Sequence, residues 1–193
     1  MRLKFLTIVG ASLVVALSYC GPLRAAEPTA AGLWEQLDDY GHSWFLFFER
    51  DGVYEGAVVK MFIRPRDPPN PICNGCAGDQ KNQPVLGLVL IKGMKRNGLN
   101  YDKGTITDPR NGSVYQAKMK VSPDGKLLTV RGFLGIDLFG QDQIWKRLPD
   151  DALPMNEIPP AIVQYLSTPP DNKRMNGGNG QKNPGLKTTT PNR

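Results

Sequence analysis

The chain is expected to fold as one all-β domain, a small antiparallel meander closed into a barrel. Three observations predict this. Seven or eight apolar-rich segments lie between about Gly32 and Leu148, with no helical period longer than a turn or two between them. Turn signals separate them, among them Arg50-Asp51-Gly52, Asn111-Gly112 and Ser122 to Gly125. A sheet of that kind must also hide its edges, and closure into a barrel hides them completely. Roughly 120 residues suffice for one core, and an eight-stranded barrel of that size holds side chains or one small ligand.

The chain begins with a different signal. Arg2 and Lys4 precede an apolar run from Phe5 to Leu17, and the small residues Ala25 and Ala26 follow. This is the pattern of a secretory signal peptide over residues 1–26, and the apolar run is short of the roughly 20 residues a membrane span needs. Cleavage there leaves no membrane span and places the mature chain in a periplasm or outside the cell. The alternatives are an uncleaved membrane anchor and a lipid anchor on Cys20, and for the second bulky Tyr19 stands where a small residue is preferred.

Residues 27–150 form the predicted barrel. The segment from His42 to Pro65 opens with a dense aromatic run, Trp44 to Phe48, turns at Arg50-Asp51-Gly52 and continues to Ile63. Pro65, Pro68, Pro69 and Pro71 then interrupt any ladder and predict a loop. A buried strand resumes at Pro84 to Met94, with Gly87 at a bulge or close contact. Asn111-Gly112 predicts a two-residue type I′ hairpin, since both central positions of that turn need positive φ. After it Tyr115, Ala117, Met119 and Val121 point one way, while Gln116, Lys118 and Lys120 point the other. Two more strands follow the turn at Ser122 to Gly125. Residues 151–167 are read as a linker with one short helix packed on the barrel side. The Asn-, Gly-, Lys-, Pro- and Thr-rich run 168–193 has little to bury and is expected to be a disordered tail.

The two ends account for the charge. The whole chain carries +6, yet between Glu27 and Ser167 sixteen basic residues face seventeen acidic ones. A nearly neutral domain argues against a nucleic-acid surface and leaves the basic tail as the charged feature.

Gly32-Leu33-Trp34, the Cys-x-x-Cys loop before the Pro84 segment, the run from Gly104 to Met119 and the run from Leu128 to Leu148 resemble, in that order, the bacterial exported family DUF2147 (domain of unknown function 2147). The resemblance covers about Gly32 to Leu148. It implies a lipocalin-like (calycin-type) barrel and lends no catalytic residues. Barrels of that type often set a Gly-x-Trp on the first strand beneath an Arg on the last. By that analogy Trp34 lies under the guanidinium of Arg147, or of Arg131, in a cation–π contact closing the barrel floor.

No catalytic set is legible. His42 is the single histidine, in a turn-like setting that suits a surface residue better than a base. There is no Gly-x-Ser-x-Gly elbow, phosphate loop or paired-His motif. Asp38, Asp39, Glu49, Asp51, Glu55 and Asp67 read as solvated charge near turns. No cofactor and no metal are expected. Phe133, Leu134, Ile136, Leu138 and Phe139 form a Gly-punctuated apolar loop, which either rims a barrel mouth and meets an apolar ligand or folds back as a plug. The rarity of large exposed apolar groups favours the plug.

Cys73 and Cys76 remain once the signal is removed. Two cysteines and one histidine are too few for zinc. A redox motif sets its first Cys at a helix N-terminus, whereas this pair lies in a Pro-rich loop. A structural disulfide in an oxidising compartment is the preferred reading, with Asn74-Gly75 making the turn. The expected protein is thus a non-enzymatic periplasmic barrel that binds a small apolar or amphipathic ligand or an envelope partner. The alternative is a thiol-redox or other enzyme working through the Cys-x-x-Cys loop.

Overall fold

The structure, a computed structural model, describes residues 26–39, 41–65 and 67–166 of the 193, and for Asp38 the backbone alone. The predicted leader short of Ala26, Cys20, the tail from Thr168 and the Asp38 carboxylate lie outside the described residues. Eight strands run β1 (Gly32–Asp38), β2 (Gly41–Arg50), β3 (Val53–Met61), β4 (Val89–Asn97), β5 (Asn100–Thr107), β6 (Val114–Val121), β7 (Leu127–Phe133) and β8 (Gln141–Arg147). Each pairs antiparallel with the next, and β8 returns to β1 to close the barrel. A short helix, α1 (Pro160–Leu166), lies against the outside. Among the described residues no helix is long and apolar enough to cross a membrane.

The aromatic run in β2 shows how the two faces are used. Phe45 and Phe47 point into the barrel core, and Leu46 and Phe48 point outward. An outward Phe would ordinarily meet water, but Leu153, Ile158 and Ile162 from the C-terminal segment cover this face. Tyr165 stacks on Phe48 with ring centroids 5.2 Å apart, and the Arg50 guanidinium lies 4.7 Å from the Tyr165 ring centre. A strand covered on both sides reads as a continuous apolar run, which is why β2 lacks the alternation seen in β6. Each such side chain contributes about 1.5–3 kcal/mol by leaving water.

Turn chemistry explains two hairpins differently. Asp51 and Gly52 have φ of 52° and 76° and join paired Arg50 and Val53, as a type I′ turn requires. The predicted two-residue turn at Asn111-Gly112 is replaced by a wider loop, Asp108 to Ser113. There the Asp108 N–H donates to the Ser113 carbonyl at 2.8 Å, and the Gly112 N–H to the Asp108 carbonyl at 2.8 Å. The physical reason is local competition. The Asp108 carboxylate accepts from the Arg110 backbone N–H at 2.9 Å and from its guanidinium, which stabilises the wider loop.

Up-and-down connectivity sorts the turns. Three short ones (β2–β3, β4–β5, β6–β7) and the entering chain meet at one end, the floor. The other four connections, including the long Phe62–Leu88 segment, meet at the opposite end, the mouth. At the floor Trp34 is fully buried, and the Arg147 guanidinium stands 4.2 Å from its ring centre. Arg147 also donates to the carbonyls of Gly125 at 2.7 Å, Ala31 at 2.8 Å and Thr29. The Trp34 indole N–H donates to the Ala30 carbonyl at 2.8 Å, and the Ala30 N–H donates to Tyr101 Oη at 2.8 Å. The entering segment is thereby strapped across the floor. Gly32 makes this possible: at φ 114°, a Cβ there would come within 2.6 Å of Arg147 Nη1.

Arg131, the other cation offered for that contact, is elsewhere. It donates to the Asp137 carbonyl at 2.6 Å and to Asp142 Oδ1 at 2.6 Å, and so holds the β7–β8 loop. Strand register decides the matter. Trp34 is opposite Arg147 across the β1–β8 seam, whereas Arg131 is opposite Asp142.

Candidate binding cavity at the barrel mouth

On β1, β2, β7 and β8 the inward side chains are large near the floor and smaller towards the mouth. Along β7 the inward series runs Leu128, Val130, Gly132, and Gly132 carries no side chain to fill the space. The result is a cavity of about 1060 Å³ opening at the mouth. That lies at the upper end of small-molecule pockets, roughly 300–1,000 Å³.

Its lower wall is apolar, formed by Phe45, Val58, Leu90, Val130 and Trp145, with the Phe45 and Trp145 rings 4.5 Å apart. Above them stand neutral polar groups, Gln36, Ser43, Thr107 and Gln143. The Trp145 indole N–H donates to Gln143 Oε1 at 3.1 Å. The rim is charged, and among the described residues its arginines are paired. Arg64 Nε meets Asp67 Oδ2 at 2.7 Å, and Arg110 Nη2 meets Asp108 Oδ2 at 2.5 Å. The hydrogen bond from Arg110 holds the Asp108 carboxyl below the usual carboxylate range.

His42 also reaches the rim, half-buried. Its ring stacks on Phe62 at 3.7 Å, and Nε2 lies 2.8 Å from Glu35 Oε1. The surface reading of His42 therefore needs amending: it is a ring packed in the cavity mouth with a carboxylate partner. Of the carboxylates read as solvated, Glu55 is buried and accepts from Arg50 Nη2 at 2.8 Å. Among the described residues no cluster of His, Cys, Asp and Glu has the makings of a metal site.

The Phe62–Leu88 connection forms one wall of the mouth. Cys73 and Cys76 stand at disulfide-bonding distance, with Cα atoms 5.4 Å apart, and both are buried in the barrel core cluster. Around them the loop builds its own ladder. The Cys73 N–H donates to the Gln83 carbonyl at 2.9 Å, and the Asn82 N–H to the Cys73 carbonyl at 3.0 Å. The Val85 N–H donates to the Pro71 carbonyl at 2.9 Å. Gly75 then seats against the β5–β6 loop so tightly that a Cβ would fall 2.2 Å from the Asn111 carbonyl oxygen. Pro71, Ile72, Asn74 and Val85 face the cavity.

The β7–β8 loop is not the plug that its apolar content suggests. Phe133 is buried, but Leu134, Ile136, Leu138 and Phe139 are 60–78% exposed. Leu134 and Phe139 line the cavity together with Phe133, while Ile136 and Leu138 do not. The short 3₁₀ turn Asp137–Phe139 is the cause, because Arg131 grips its Asp137 carbonyl and Lys118 pairs with the Asp137 carboxylate. Pinned at Asp137, the turn directs its apolar side chains outward.

Sequence reasoning does not find Gln36, Gln143 or the two Arg–Asp pairs of the rim. Gln143 is within its reach, since it sits two residues before inward-facing Trp145 and must share its face.

Comparison with known proteins agrees with this architecture. The structure is similar to a solved one, protein HP1028 from the human pathogen Helicobacter pylori, described as belonging to the lipocalin family. The match has a TM-score of 0.56 at 16% identity and covers 64% of this chain and 86% of that one. It shows the fold, a lipocalin-like barrel. No curated protein matched the sequence. The family model for DUF2147, described as an uncharacterized protein conserved in bacteria, matches residues 32–147, from the first residue of β1 to the last of β8. The chain belongs to the DUF2147 family.

Proposed function

We propose that this chain is an exported, non-enzymatic barrel that takes one small apolar or amphipathic molecule into its mouth. The carrying observation is the cavity of about 1060 Å³, apolar below and polar at the rim. Side chains that filled the barrel would have removed the reading; here the floor is filled and the mouth is not. The leader-like residues 1–26 support export to the periplasm. An envelope partner remains compatible with the exposed apolar β7–β8 loop. Thiol exchange through Cys73 and Cys76 is disfavoured, since both residues are buried and an attacking thiolate must reach a sulfur.

Native mass spectrometry of the protein taken from its own cells tests the reading. One bound small molecule per chain is expected, displaced by organic extraction. Gly132→Leu should abolish it, because a side chain there enters the cavity with its Cβ at an ordinary 3.4 Å from Ile106. Bare protein from every preparation, or a bound molecule that persists in Gly132→Leu, would overturn the proposal.

A further inference from the structure

We infer that the molecule held in the mouth is an electrically neutral amphiphile bearing an acceptor oxygen near its polar end, of the acylglycerol or ester class, and not a fatty-acid anion. The inference rests on the binding reading above and adds the chemical class of the ligand.

Two observations carry it. The first is the charge balance of the wall. Among the described residues, the basic side chains that line the cavity are Arg64, Arg110 and His42, and each already meets a carboxylate, Asp67 at 2.7 Å, Asp108 at 2.5 Å and Glu35 at 2.8 Å. Below this rim the cavity walls carry amides, hydroxyls and apolar groups. A carboxylate drawn in would lose its hydration without meeting an unpaired cation among the described residues, and an unpaired charge in such a place is strongly disfavoured. A neutral head meets no such penalty.

The second observation is the orientation of Gln143. The indole N–H of Trp145 can only donate, so the Gln143 atom 3.1 Å from it is the amide oxygen. The amide NH2 is therefore the outward end of the group, and it makes no hydrogen bond within the described residues. A donor of fixed orientation thus stands one step above the Phe45–Trp145 floor. It asks for an oxygen at the point where an apolar chain, resting on Trp145, meets its head. An ester carbonyl supplies that acceptor, and the hydroxyls of a glycerol head suit the polar rim.

The test compares two lipids with the same acyl chain, 1-monolauroylglycerol and laurate, at neutral pH. Each competes with the uncharged fluorescent probe N-phenyl-1-naphthylamine for the full-length mature protein. Monolauroylglycerol should displace the probe at least tenfold more tightly than laurate. Gln143→Leu should weaken monolauroylglycerol by about three- to tenfold more than it weakens the probe, the range of one net hydrogen bond. Laurate binding as tightly as monolauroylglycerol overturns the inference. So does a Gln143→Leu variant that loses probe and lipid alike. If neither the probe nor either lipid binds, the cavity-binding reading itself fails, and the inference fails with it.

Discussion

The floor and the mouth of this barrel are made from the same eight strands, yet they use side chains in opposite ways. At the floor, short turns bring the strand ends together, and the space between them is filled by Trp34, Arg147, Tyr101 and Tyr54. Every polar atom named there has a role: Arg147 holds three carbonyls, and Tyr101 holds the entering chain. At the mouth, three of the four connections are longer than any at the floor, most inward residues are smaller and described charges are paired along a rim. Local stability concentrates where burial is dense, and binding surfaces are drawn from the less packed end. The floor is what allows the mouth to stay hollow, because a barrel closed firmly at one end does not need its whole interior filled.

That contrast can be broken first at Trp34. Trp34→Ala would remove the largest buried side chain of the floor and leave Arg147 with no ring beneath it. A loss of about 4 kcal/mol in unfolding free energy is expected, in the range for large-to-small core changes. Denaturant unfolding measures it, and a loss under about 1 kcal/mol would show that the floor does not anchor the fold.

The next effect is alkaline. Burial, joined by Glu49, pushes the Tyr54 hydroxyl up from 10.0 to about 12. The folded state thus favours the neutral phenol. The sign follows from linkage: this contribution is complete below pH 10 and is lost as pH rises towards about 12. Melting temperature should fall steeply across that window, and Tyr54→Phe should flatten the fall. An unchanged slope in Tyr54→Phe would move the alkaline sensitivity away from the floor.

The smallest stability effect belongs to the mouth. Replacing both Cys73 and Cys76 by Ser opens a very short loop, for which chain entropy predicts about 2 kcal/mol at most. The structural reading expects cooperative unfolding with that modest loss and a looser cavity wall, seen as weaker retention of a bound probe. A variant of wild-type stability that loses a measurable cellular phenotype would point instead to thiol chemistry.

Much of the floor is legible in the sequence. Gly32-Leu33-Trp34 and Arg147 are identifiable through the resemblance to lipocalin-like barrels, which implies a Trp on the first strand beneath an Arg on the last. The choice between Arg147 and Arg131 is not legible, because it depends on which residue stands across the β1–β8 seam. The apolar content of the β7–β8 loop can be read and suggests a plug. The grip of Arg131 on Asp137, which turns those side chains outward, is a contact made only in the folded chain. The expected Asn111-Gly112 turn fails for a related reason: the Asp108 carboxylate competes for the local backbone, and Gly75 packs on the result.

Sequence alone determined the strand count to within one, the turn at Asp51-Gly52, the short outer helix and the cysteine pair in its loop. These follow from local propensity and from the two-residue period, which act over a few neighbouring positions. Only the tertiary structure decided that the interior narrows to a filled floor and opens to a cavity, that two Arg–Asp pairs form on its rim, and that Gln143 turns its amide NH2 away from Trp145. These depend on which inward residues share a layer after closure. Closure joins the first strand to the last, a pairing that no local stretch of the chain contains.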